Sequence, residues 1–335
     1  MRNHISRREF ITLLGGAAAA PPVLWPLVAH AQKPKRVGVL MSRTATEPWL
    51  SELTIFMQGM RKLGWIEGQN RQTEVRWSAG DPSLIQAYAT DLVGLFKPDV
   101  LLSSSTGNLV ALQRATRTIP IVFTQVTDPV EQGFVPNLNR PGGNITGFAI
   151  YEFSIAGKWA DLLKQMAPSI VRVALVFNPE ASPQSRLFVS ALEAAAPSLG
   201  VAAMTAPVLS TAELETTLAR LAREPNIGLI FPTGIFTSSR AKLIVEAVAR
   251  YRLPAIYAED PYMAEGGLMK YTADTAEPVR QAPFYIDRIL KGAKPGDLPV
   301  QLPTKFKFIV NRKTATALGI EVPLGLLLAA DEVIE

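Results

Sequence analysis

Short apolar runs rich in Val, Ile and Leu alternate along this chain with longer stretches whose apolar positions recur every three or four residues. The first pattern predicts strands at residues 36–41, 73–77, 99–103 and 119–125, and the second predicts helices at 49–63, 82–96 and 109–117. A second set follows Tyr151. Its helices fall at 155–166, 184–199, 212–223, 239–251 and 275–290, and its strands at 171–177, 201–207, 227–231, 254–258 and, last, 305–310. Fully apolar strands separated by amphipathic helices indicate α/β architecture, a parallel sheet covered on both faces.

The two sets echo each other. Ile119-Pro120-Ile121-Val122-Phe123 is followed by Asp128-Pro129, and Leu253-Pro254-Ala255-Ile256-Tyr257 by Asp260-Pro261. A unit used twice predicts two doubly wound parallel-sheet lobes: residues 33–149 plus 275–303, and residues 150–274 plus 304–335. The connections between them are expected near 148–151, 271–274 and 302–304. Ligands of open α/β sheets sit beyond the carboxyl ends of the strands, so the expected site is a cleft between lobes that closes by a hinge.

Composition narrows the chemistry. Of 335 residues 48% are hydrophobic and 19% charged, enough apolar surface for large cores. The net charge is +5, of which the first 31 residues carry +2 (Arg2, Arg7 and Arg8 against Glu9), leaving +3 spread without a basic run. Nucleic acid, which selects concentrated Lys and Arg, is therefore not an expected partner. Cysteine is absent, and both histidines, His4 and His30, lie within the first 31 residues. The rest of the chain cannot form a disulfide, a thiolate or imidazole metal site, or a Ser-His-Asp triad. No catalytic residue, metal or cofactor is expected. Glu259-Asp260 is the most enzyme-like pair, but neighbours on an extended strand point to opposite faces, and a solvated loop is the expected reading.

The first thirty residues have the form of an export address. Ser6-Arg7-Arg8-Glu9-Phe10-Ile11 leads into an apolar stretch to Val28, and Ala29-His30-Ala31 is a small-x-small cleavage pattern. The arginine pair resembles a twin-arginine signal; Ile11 and Thr12 depart from that pattern and leave the general secretory route open. Pro21, Pro22 and Pro26 interrupt the run, against the roughly 20 apolar residues a bilayer span needs. A periplasmic protein cut after Ala31, without a membrane anchor, is expected.

Several ordered motifs carry a family resemblance. Thr127-Asp128-Pro129-Val130, Gly133-Phe134-Val135, Arg140-Pro141-Gly142-Gly143-Asn144-Ile145-Thr146-Gly147, Phe177-Asn178-Pro179, Gly266-Gly267-Leu268, the run Arg288 to Pro295, and Asn311 with Lys313-Thr314-Ala315 span nearly all of the chain past the leader. Together they resemble the ABC transporter substrate-binding family related to the tryptophan-binding TrpX lipoproteins. The resemblance implies a type I periplasmic-binding fold with ligand held between lobes. Without a cysteine to carry lipid, it also implies free diffusion in the periplasm.

Candidate ligand groups follow from their places at strand ends. Ser104, Ser105 and Thr106 precede a helix, where hydroxyls and free N–H groups can cradle a carboxylate, or one of them can simply cap the helix. Gly234 holds the corresponding place in the second lobe. Asp128 and Asp274 are candidates for a ligand ammonium; a turn before Pro129 and a helix cap are their plainer roles. Trp49, Tyr151, Tyr257 and Tyr271 can stack on an apolar ligand or serve as packing. Ser42 and Asn178 can add hydrogen bonds or shape turns. The expected function is capture of a small carboxylate-bearing solute, an amino acid (aromatic or branched) or an aromatic acid, by a monomer that delivers it to the membrane permease of an ABC importer. A periplasmic sensor subunit of the same fold is the alternative, and a carboxylate-based hydrolase a more distant one.

Overall fold

A computed structural model describes residues 33–46 and 49–335, with Trp49 described by its backbone alone. The leader read over residues 1–31 lies outside the described residues. From Pro34 onward the chain forms one compact unit.

The first sheet takes β1 (Lys35–Met41), β2 (Arg71–Trp77), β3 (Val100–Ser103), β4 (Ile121–Val126) and β5 (Ile145–Ala149), all parallel in the order β2-β1-β3-β4-β5. The second takes β6 (Arg172–Phe177), β7 (Ala202–Pro207), β8 (Ile227–Phe231), β9 (Ala255–Tyr257) and β10 (Met269–Ala273). Their order, β7-β6-β8-β9-β10, repeats that of the first sheet. Two more strands extend it: β11 (Phe306–Asn311), antiparallel to β10, and β12 (Glu332–Ile334), parallel to β11. The echo between Asp128-Pro129 and Asp260-Pro261 is thus the echo of β4 with β9, each the fourth strand of its set.

Helices cover both faces of each sheet. α1 (Trp49–Lys62) lies on one face of the first sheet, and α2 (Pro82–Asp91) and α3 (Thr106–Ala115) on the other. α4 (Ile155–Met166) and α5 (Ser185–Ala195) cover one face of the second sheet. Its other face carries α6 (Thr211–Leu221) and α8 (Ala241–Arg250), after the short α7 (Ile235–Ser238). Four apolar cores result, built on alternate faces of the strands, of which the central ones β1, β3, β6 and β8 are apolar on both sides. Trp159, fully buried, donates its indole N–H to the Tyr271 carbonyl at 2.8 Å and so ties α4 to β10.

After α9 (Asp260–Ala264) and β10, α10 (Ala276–Leu290) leaves the second sheet and packs on α1 and the first sheet through Val279, Ala282 and Ile286. Trp65 and Asp287 fasten it at 2.9 Å. The chain returns past Gln301 to β11, α11 (Arg312–Leu318) and α12 (Leu324–Ala329). Three segments therefore run between the sheets, after β5, after β10 and after Gln301.

Several elements differ from the sequence reading. β5 and β10 contain Phe148 and Tyr271, so both connections begin beyond those residues. β5 hides behind the turn chemistry of Pro141-Gly142-Gly143, and Gly147 interrupts its apolar run. Gly147 has φ 153°, and a Cβ there would meet the Phe123 carbonyl oxygen at 2.2 Å, so its bareness serves the tight pairing with β4. The helix expected over 82–96 stops at Asp91 and finishes as a π-helical turn, Leu92–Phe96. α3 begins at Thr106, not Leu109, because the Ser105 hydroxyl accepts the Asn108 N–H and starts it there. The run at 305–310 is not the last strand, since β12 follows it.

Candidate functional site

A sheet of order 2-1-3-4-5 opens a crevice where its connections diverge, between the first and third strands. Both crevices open into one cavity. From the first sheet come Ser42 and Arg43 after β1, and Ser104, Ser105, Thr106 and Gly107 after β3. From the second come Ala181 and Ser182 after β6, and Thr233, Gly234 and Ile235 after β8. Gln125, Thr127, Ile150 and Glu259 complete the principal walls, around about 970 Å³ of empty space counting the open mouth.

Hydroxyls and helix geometry shape the first wall. The Ser42 N–H donates to the Ser104 hydroxyl at 2.9 Å, which joins the ends of β1 and β3. Ser105 caps α3 at 3.2 Å. The amides of the first turn, Thr106 and Gly107, have no carbonyl four residues back to receive them, as at any helix start. The wall therefore offers N–H and O–H donors together with the positive end of a ten-residue helix dipole.

The opposing wall carries the charge. Glu259 follows β9, accepts the Gly234 N–H at 3.3 Å, and pairs with Arg43 from the first sheet. The two side chains are only 12% and 16% exposed, so this ion pair spans the cleft largely out of water. Arg43 also donates to the Ser238 hydroxyl at 2.9 Å. Gly80, with φ 73°, lies directly against Ile235. Through these contacts the two lobes stand closed upon each other.

Of the residues expected from sequence, Ser42, Ser104, Ser105, Thr106 and Gly234 meet in the cavity. The other described candidates stand elsewhere. Asp128 is a turn residue with φ 37° whose carboxylate accepts the Glu131 N–H at 3.1 Å. Asp274 holds the first turn of α10 through the Ala276 N–H at 3.0 Å and pairs with Arg280 in a separate hollow. Asn178 is buried one layer back, where its oxygen accepts the Glu180 and Ala181 amides and shapes the loop carrying Ser182. Tyr257 is stacked on Tyr262 at 4.5 Å in the core, and Tyr271 on Phe306 at 5.4 Å. Tyr151 packs edge-on against Trp159 behind the cavity wall, its buried hydroxyl facing Thr233 and Glu259 without a well-aligned hydrogen bond. Among the described residues the apolar part of the cavity wall is aliphatic, from Ile85, Ile150 and Ile235, and none of the three tyrosines lines it. The side chain of Trp49 lies outside the described residues.

Glu259 overturns the reading of a solvated loop. It is largely buried and cross-linked, while its neighbour Asp260 pairs with Lys270 and is largely exposed at the rim of the cavity. The divergence of the two carboxylates is as expected for successive residues. A signal for Glu259 existed: the residue just before each Asp-Pro pair, Thr127 in one set and Glu259 in the other, lines the cavity. Arg43, Gln125 and Glu52 had no comparable mark.

Glu52 lies behind the floor, where α1 crosses the sheet. Burial raises its carboxyl from the ordinary 4.5 to about 7, against the opposing effects of a hydrogen bond from Gln125 and the charge of Arg43.

Two α/β lobes of equal strand order, closed over a polar cavity at their switch points, define a bilobal solute-binding protein. The family model for ABC transporter substrate-binding proteins matches residues 50–334, and the chain belongs to that family. Its members are binding proteins, not enzymes, and work outside the cytoplasm beside a membrane permease. A tyrosine-binding protein of Clostridioides difficile is 26% identical over 292 residues, covering 87% of this chain and 83% of that one. A conserved domain protein of Vibrio cholerae shares 28% identity and a TM-score of 0.80 over 90% of this chain and all of its own. The ligand-free, open structure of a Clostridium difficile substrate-binding protein with adhesive properties is 25% identical, with a TM-score of 0.66 over 90% of this chain and 99% of that one. No helix among the described residues is long and apolar enough to cross a membrane.

Proposed function

We propose that this protein is the periplasmic receptor of an ABC importer for a small α-amino acid, aliphatic or aromatic in its side chain. The observation that carries this reading is the pairing of opposite chemistries across one cleft. Donor groups at the start of α3 suit a carboxylate, and Glu259 on the other lobe suits an ammonium. An α-amino acid bears both charges on neighbouring atoms and can bridge the lobes, with its side chain against Ile85, Ile150 and Ile235. The tyrosine-binding relative supports the same class. Arg43 pairs with Glu259 across the cleft, and the solute ammonium shares or replaces that contact.

In this reading the lobes comprise 33–149 plus 275–303 and 150–274 plus 304–335, and the three connections between them form the hinge. Export with cleavage after Ala31 delivers a monomer to the periplasm, where the closed form docks on the permease. Titration calorimetry of the purified protein against the twenty amino acids, benzoate, glucose and a dipeptide tests the ligand class. Stoichiometric binding of an amino acid recovered chemically unchanged supports it. Heat only from glucose refutes the carboxylate cradle, heat only from the dipeptide or benzoate refutes the amino-acid class, and turnover of any bound compound refutes the receptor role.

A further inference from the structure

Behind the cleft floor lies a second, much narrower hollow, with room for little more than one water molecule. Its walls are mostly apolar, from Met41, Leu53, Phe56, Leu102 and Val279, yet it holds the carboxyl of Glu52. Ser104 borders both the hollow and the main cavity. Gln125 stands between them, lining the cavity while its amide donates to the two Glu52 oxygens at 3.2 and 3.4 Å. Both bonds are long for N–H···O contacts.

The backbone holds Gln125 there at a cost. Its φ is 55°, in the left-handed region that a residue of this type rarely enters. The pairing of β4 with β5 slips in register between Phe123 and Val126 to allow it. Such strain persists only where the surrounding structure enforces it, and it gathers at functional positions. Glu52 is unusual on other grounds. A carboxyl in an apolar wall is costly unless it has a partner, and two stretched bonds from one amide are a weak return. Among the described residues the charged groups acting on it are Arg43 and Asp260, both of which border the main cavity. The hollow thus presents an under-used hydrogen-bond acceptor that is separated from the main cavity by Gln125 and Ser104 alone.

We propose that Glu52, aimed by Gln125, is the specificity-determining residue of the cleft and receives a hydrogen-bond donor, hydroxyl or N–H, at the end of the solute's side chain. This rests on the amino-acid reading above. A solute without a donor leaves Glu52 with its two long bonds, and one ending in a carboxylate meets like charge.

Calorimetry at pH 8, where the Glu52 carboxyl is ionised in the fold, with three pairs tests it: L-tyrosine with L-phenylalanine, L-threonine with L-valine, and L-lysine with L-norleucine. Each pair differs chiefly by the donor. The donor-bearing member of at least one pair should bind about 10- to 100-fold more tightly, the range of one hydrogen bond to a charged group. Glu52→Gln, which keeps the shape but is a weaker acceptor, should reduce that ratio several-fold, and Glu52→Leu should abolish it. Melting curves establish that each variant folds; if Glu52→Leu does not, Glu52→Gln alone decides. A wild-type protein that binds amino acids without preference in any pair overturns the role of Glu52 and leaves the amino-acid reading intact. So does a preference that Glu52→Gln leaves unchanged. Failure to bind any amino acid overturns both.

Discussion

Replacing Glu52 by Gln should make the protein more stable at alkaline pH and change its stability little in acid. In the unfolded chain Glu52 loses its proton near 4.5, and in the fold near 7, because burial penalises the carboxylate. Between these values the folded state holds the extra proton, so raising the pH across that window favours unfolding. The loss is complete above about pH 7. At about 1.4 kcal/mol for each pH unit separating the two values, it comes to about 3 kcal/mol. Gln keeps the shape and an oxygen for the Gln125 amide, but it does not ionise. Its advantage over the wild type should grow from near zero at pH 4 to about 3 kcal/mol at pH 8. With unfolding entropy of roughly 2.1 cal/mol/K per residue over about 300 residues, this is a rise in melting temperature of about 5 °C. Calorimetric melting of both proteins from pH 4 to 8 measures it. Two curves separated by a constant offset would refute the argument, because a constant offset reports packing rather than ionisation.

Further outcomes follow from the closed cleft. Arg43→Ala removes the cross-lobe partner of Glu259, and desolvating an unpaired carboxylate costs several kcal/mol. The unliganded variant should therefore open, with a larger radius of gyration in solution scattering and closure restored by ligand; a profile identical to the wild type would refute the latch. Gly80→Val places atoms where Ile235 stands, 2.3 Å from an ideal Cβ, in a backbone conformation that L side chains avoid. It should weaken ligand binding at least tenfold, about 1.4 kcal/mol, and an unchanged affinity in calorimetry would show that the lobes need not approach so closely. Ser105→Ala removes the cap of α3 and should lower stability by about 1 kcal/mol, read as a fall in melting temperature; no fall would mean that the helix start is held by other contacts.

Much of this protein was legible before folding. Strand and helix positions followed from periodicity, because a strand buried on both faces must be apolar throughout and a covering helix only along one stripe. The repeated Asp-Pro endings of β4 and β9 announced two like halves. The donors at the start of α3 were visible because a hydroxyl run after a buried strand has few other uses. Local rules also misled. Asp128 and Asp274 satisfy nearby backbone amides, which sequence favours as strongly as a ligand site; Tyr257 stops inside a core, and Tyr271 stacks on Phe306 at a core's edge. Short elements such as β5 and β12 carry too few residues to show a period. Arg43 and Glu259 are separated by 216 residues, and no local pattern marks that they meet. Their contact exists only when the first and second sheets face each other. The same holds for Glu52, on a helix that reads as ordinary and amphipathic. Its burial is decided by α10 returning from the second lobe to pack beside α1, a choice made by tertiary structure alone.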